Sequence, residues 1–166
     1  PTCLNFMITD KHHERRSICV AELEYNPDGT IKELPWWDDG VAVEPVGTLN
    51  PYKRTEAETM AWSQGLKTAK DDESGMYVTS IHNRDFLQVK AVDFGKGAKT
   101  FEVRAATITK GKIEIRLDDL DGTLLGVCDI SNTGGWNTWK TFVTDVEKVG
   151  GVHDLYLVFR GGDGEM

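Results

Sequence analysis

The apolar residues of this chain recur with a period of two far more often than with a period near 3.6. A period of two places alternate side chains on opposite faces of an extended segment. Phe101, Val103 and Ala105 fall on one side of such a segment and Glu102 and Arg104 on the other. Ile113, Ile115 and Leu117 oppose Glu114 and Arg116 in the same way, and Leu155, Leu157 and Phe159 oppose Asp154, Tyr156 and Val158. Together with their flanking turn residues, these patterns predict strands over 54–60, 76–80, 86–92, 99–107, 112–118, 123–129, 138–145 and 153–159. Short, closely spaced strands and almost no helical periodicity predict an all-β fold, a sandwich of antiparallel sheets in jelly-roll form.

Upstream of these, strand-like runs occupy 3–9, 17–25 and 30–34. The NPDGT sequence between the last two carries strong turn chemistry, because Pro27 fixes its own φ and Gly29 accepts a positive one. Two or three strands of this size bury too little to stand alone, so this region is expected to be the tail of a larger domain or to pack against the strands downstream of it. The stretch DDGVAVEPVGTLNPYKR, with Pro45, Pro51, Gly40 and Gly47 and little periodicity, reads as an extended connector.

Charge narrows the partners. Nineteen basic side chains against 27 acidic ones give a formal charge of -8, which opposes phosphate backbones and supplies no basic stripe for nucleic acid. No apolar run approaches the length that a transmembrane helix requires, so no membrane partner is expected. Cys3, Cys19 and Cys128 are far apart and lack zinc-ligand spacing; they read as buried thiols, with a Cys3–Cys19 disulfide left open.

Candidate chemistry is sparse. In SNTGGWNTWK, Gly134 and Gly135 leave Trp136 beside a loop where its indole need not be covered, while Trp139 opens an alternating strand and reads as core. A flat indole suits the apolar C–H face of a pyranose, whose hydroxyl rim stays free for hydrogen bonds; at this point platform and core are equally open for Trp136. Glu56 and Glu58 would share one face of a strand over 54–60, where two carboxylates side by side call for a cation such as calcium, or form a solvated face. His12 and His13 sit in a charged loop and read as solvated. No Asp or Glu is marked out as one of an opposed glycosidase pair, and there is no G-x-S-x-G motif, so no catalytic residue is assigned.

The segments YKRTEAETMAWSQGLKT, YVTSIHNRDFLQVKAVDFGKGAKTFEVRAAT, KIEIRLDDLDGTLLGVCDI, NTGGWNTWKT and GVHDLYLVFRGG, in this order, resemble a family 6 carbohydrate-binding module over about residues 52–162. HHERRSICVAELEYNPDGTIKELPW resembles the last strands of the propeller in family 43 glycoside hydrolases. The resemblance implies a propeller remnant over 1–39, a linker over 40–51 and a sandwich over 52–166 that lacks the family's final strand. It implies a non-catalytic module that holds an attached xylan-debranching hydrolase, an arabinofuranosidase or xylosidase, on xylan or arabinoxylan. The catalytic propeller of the same polypeptide would be its partner, and its place would be secreted or at the cell surface. The alternative is one part of such an enzyme, with the catalytic residues in an N-terminal portion or companion chain. A third reading is a structural module joined through Trp36, Trp37 and the linker.

For site residues the resemblance implies Trp136 as one face of an aromatic clamp. The family's tyrosine position corresponds to Ser80, which leaves Tyr77 as the candidate second face; the family's Asn belongs to its closing strand, and Asn83 of the same YVTSIHN segment is taken as a further candidate sugar-binding residue. It also implies a structural calcium at Glu56 and Glu58, which match the family's E-A-E segment.

Overall fold

A computed structural model describes residues 24–33, 47–72 and 74–161. The strands expected over 3–9 and most of 17–25, together with His12, His13, Cys3, Cys19, Trp36 and Trp37, lie outside the described residues. The chain divides into two compact units, Pro1–Gly47 and Thr48–Met166. In the first, Tyr25 and Ile31 form an antiparallel bridge around the predicted turn. Gly29 takes φ +83°, and Asp28 Oδ1 accepts hydrogen bonds from the backbone N–H and the hydroxyl of Thr30.

The second unit is a β-sandwich of nine strands among the described residues: β1 (Trp62–Gln64), β2 (Lys67–Asp71), β3 (Gly75–Thr79), β4 (Phe86–Asp93), β5 (Thr100–Ala105), β6 (Gly111–Leu117), β7 (Leu124–Ile130), β8 (Lys140–Asp145) and β9 (Val152–Gly161). One layer is a five-stranded antiparallel sheet in the order β1-β4-β9-β6-β7. Two further ladders, β2–β3 and β5–β8, are not hydrogen-bonded to each other among the described residues.

Alternation explains the core. Ile113, Ile115 and Leu117 of β6 and Phe159 of β9 are buried, as are Leu87 and Val92 of β4 and Cys128 and Ile130 of β7. Phe101, Val103 and Ala105 of β5 and Phe142 of β8 close on them from the facing layer. Burying such side chains stabilises the fold by roughly 1.5–3 kcal/mol each before ordering costs. Cys128 is a free thiol only 1% exposed on a strand, as its spacing predicted.

The sandwich departs from the sequence reading at its start. Residues 54–60 are not a strand: the N–H of Thr59 donates to the carbonyl of Glu56 at 3.0 Å and closes a turn. Strands β1 and β2 take the place expected for that segment, and neither is apparent in the apolar pattern. The chain is already tied to the sandwich at Leu49, whose N–H and C=O bond to Ala91 and Asp93 around an irregularity in β4.

Candidate functional site

Strand register gathers the candidate residues. Gly111 pairs with both Ile130 and Gly161, Phe86 pairs with Val158, and Ala105 pairs with Lys140. One end of the sandwich therefore carries the loops 80–85, 106–110 and 131–139 together with the end of β9. At this end Asn83 Oδ1 accepts a hydrogen bond from the Gly161 N–H at 3.4 Å, and the Arg84 N–H donates to the Phe159 carbonyl at 2.8 Å. Ser80 and Arg84 take φ of +56° and +74°. Such values in non-glycine residues are uncommon and concentrate where a loop must hold a particular shape. The Asp85 carboxylate accepts from the His82 N–H and fills the space where a side chain at Gly65 would lie, which fixes loop 80–85 against the turn before β2.

Trp136 lies on the 131–139 loop, in a turn closed by a 3.1 Å hydrogen bond from the Thr138 N–H to the Gly135 carbonyl. The residue is 45% exposed, so of the two readings left open by the sequence the structure supports an uncovered indole. Gly134, at φ +103° with open space around it, lets the chain turn sharply just before it.

Trp139 is not core. It is half-buried, edge-on to Tyr77 with ring centroids 5.6 Å apart, and the Arg104 guanidinium lies 5.2 Å from its centroid. The reason is phase. Phe142 faces the interior, so 139, 141 and 143 fall on the opposite side together with Arg104 of the paired strand. Tyr77, the candidate second face of a clamp, is thus engaged with Trp139. Trp136 and Asn83 share one end of the sandwich, while Tyr77 packs on the β3 side of that end.

A shallow groove of about 510 Å³ borders the same end, lined in part by Lys110, Lys112, Asp129, Arg160 and Gly161. Its cations are largely committed: Lys112 lies 3.3 Å from Asp129, and Arg160 meets Glu114 at 3.1 Å. Arg160, with Arg116 beside it, holds the Glu114 carboxyl below the usual carboxylate range.

Glu56 and Glu58 sit on the turn described above, so the shared strand face expected for them does not exist. Arg54 pairs with Glu56 at 3.0 Å, and among the described residues no group of three or more Asp, Glu, His or Cys side chains is placed to hold a metal. Two carboxylates, one already paired, fit only part of the roughly six to eight oxygens that calcium takes.

Comparison with known proteins fits this geometry. The sequence matches the carbohydrate binding module (family 6) over residues 56–166. The chain belongs to this family. A family 6 module from Clostridium cellulolyticum, solved with xylose, is 39% identical with a TM-score of 0.68 over 71% of this chain and 92% of its own. The family 43 arabinoxylan arabinofuranohydrolase of Bacillus subtilis, solved with cellotetraose, is 39% identical with a TM-score of 0.71 over 90% of this chain and 32% of that one. The arabinoxylan arabinofuranohydrolase of Paenibacillus polymyxa is 41% identical over 91% of this chain. The chain spans about a quarter of the length of that relative, 25%. The family 6 match covers the whole sandwich from the turn at Glu56 onward, while the similarity to the hydrolases extends upstream of it.

Proposed function

We infer that this family 6 module binds xylan or arabinoxylan through Trp136 and Asn83 at the loop end, and that it targets an attached debranching hydrolase to that polysaccharide. The observation that carries the reading is the exposed indole of Trp136, on a glycine-shaped turn at the end where the site loops converge. An indole in this position gives a pyranose an apolar face to stack on, while carboxamide and backbone groups nearby take its hydroxyls. Binding of this kind raises the local concentration of a linked catalytic domain at its substrate.

Similarity over nine-tenths of the chain to arabinoxylan arabinofuranohydrolases supports a parent polypeptide of that class. In this reading residues 1–39 are the last strands of its propeller and the protein is secreted or held at the cell surface. It equally favours the second reading, in which the chain is one part of an arabinofuranosidase or xylosidase whose catalytic residues lie elsewhere. A structural calcium at Glu56 and Glu58 belongs to the first reading and would draw its other ligands from carbonyls or water.

Calorimetric titration with xylotetraose, cellotetraose and laminaritetraose tests the proposal. Xylotetraose is expected to bind most tightly, with binding lost in Trp136→Ala. Unchanged affinity in that variant would move the site off the loop end, and preference for a glucan would overturn the xylan assignment.

A further inference from the structure

The turn that carries Trp136 is fastened from below by a buried hydroxyl. Thr133 on the 131–139 loop and Thr107 on the 106–110 loop are 4% and 3% exposed, among the few buried polar residues of the sandwich. The Thr133 N–H donates to the Thr107 carbonyl at 2.8 Å, and the Thr107 N–H donates to the Thr133 hydroxyl at 2.9 Å. The same hydroxyl stands 2.8 Å from the Thr107 carbonyl and 3.1 Å from the Gly135 carbonyl. A hydroxyl has one proton to donate and two lone pairs. Thr133 Oγ1 therefore accepts from one loop and shares its proton between two carbonyls, one of them in the residue before Trp136.

Asn132 adds a second tie: its Oδ1 accepts from the Gly134 N–H at 2.7 Å, and its Nδ2 donates to the Ile108 carbonyl. Both ties run from loop 106–110 to the two glycines before the indole. Glycines lower the steric barriers to turning, so without outside constraint the Gly134–Gly135 segment would sample many conformations. A stacking platform that must be ordered when sugar arrives loses affinity to that ordering; one held in place beforehand does not.

We propose that Thr133, supported by Asn132, is a positioning residue that holds the Trp136 indole in its sugar-stacking orientation by anchoring the Gly134–Gly135 turn to the 106–110 loop. The inference rests on Trp136 being the platform. Thr133 touches no sugar itself; it acts through the backbone of Gly135.

The variants Thr133→Val, Thr133→Ser, Asn132→Ala and Trp136→Ala are compared with the parent by calorimetric titration and by melting curves. The probe is whichever of xylotetraose, cellotetraose and laminaritetraose the parent binds most tightly. Thr133→Val keeps the shape and removes the hydroxyl, so its folded fraction is expected to bind about tenfold more weakly. Thr133→Ser restores the hydroxyl and is expected to restore affinity. Asn132 is exposed, so Asn132→Ala leaves the fold intact and decides the matter if Thr133→Val does not fold; it is expected to weaken binding by about threefold. A role in stability alone would lower the melting temperature of Thr133→Val and leave the affinity of its folded fraction at the parent value, which overturns the inference. If Trp136→Ala abolishes binding while Thr133→Val and Asn132→Ala bind like the parent, the platform stands and the anchor falls. If Trp136→Ala binds like the parent, or the parent binds none of the three sugars, both fall.

Discussion

The indole of Trp139 stands edge-on to the ring of Tyr77, centroids 5.6 Å apart and planes inclined at 75°. Together with Arg104 over its face, this makes Trp139 a joint between β3 and the β5–β8 ladder, which no backbone hydrogen bonds connect among the described residues.

Removing that joint is expected to cost stability without touching the sugar. An aromatic pair contributes about 0.5–1.5 kcal/mol and an Arg–indole contact about 0.5–1 kcal/mol, so losing both contacts in Trp139→Ala should destabilise the fold by about 1–2.5 kcal/mol. A fully buried indole would cost roughly 3–5 kcal/mol. Denaturant melts give the stability, and titration with xylotetraose gives the affinity, which should stay near the parent value. Loss of binding in Trp139→Ala would place the sugar against the Tyr77–Trp139 pair.

Calcium, if it binds at Glu56 and Glu58, has to compete with Arg54 for one of its two carboxylates. A ligand held only by the native state raises the melting temperature. Chelator should therefore lower the melting temperature of the parent, Glu58→Ala should abolish the difference, and Arg54→Ala should enlarge it. Identical melting curves in calcium and in chelator would remove the metal from the account.

Much of this architecture is written in the alternation of single strands. Phe101, Val103 and Ala105, then Ile113, Ile115 and Leu117, have large apolar residues on one parity and charges on the other, and both segments are strands with those faces inward. The KTAKD sequence of β2 carries no such contrast, because that ladder buries little apolar surface. The segment 54–60 has the opposite fault: its alternation sets Glu against Ala and Thr, a pattern without hydrophobic content, and a local turn hydrogen bond wins. At the site, the exposed Trp136 is foreshadowed by its glycines. The phase of β8 misleads because Trp139 is the larger residue, although Phe142 is the one that faces the core. The Thr107–Thr133 anchor joins loops that are distant in sequence, and nothing in either loop alone announces the other.

At the far end of the sandwich His153 and Asp118 form a pair whose strength depends on pH. His153 Nδ1 lies 2.8 Å from Asp118 Oδ2 and Nε2 lies 3.2 Å from the Gly150 carbonyl, so both ring nitrogens face acceptors and only the imidazolium can donate to both. The Asp118 carboxylate, the larger cause, and the Gly150 carbonyl raise the histidine above its ordinary value; the same contact, helped by the Asp154 N–H, lowers Asp118. The raised histidine contributes stability below its unfolded pKa and loses it as pH rises through its folded one. The lowered aspartate contributes above its unfolded pKa and loses its share as pH falls through its folded one. The two overlap between about pH 4.5 and 6, so the pair stabilises the fold most there and progressively less above neutrality. Asp118→Asn keeps the shape of the side chain, and asparagine tolerates the backbone φ of +65° at this position. Its melting temperature should fall below that of the parent by the largest margin near pH 5.5 and approach it near pH 8.5. Because the pair is partly exposed, added salt should narrow the margin. A margin that does not change across that range would mean that Asp118 acts only as an acceptor for the Asp154 N–H, and that the charge on His153 plays no part.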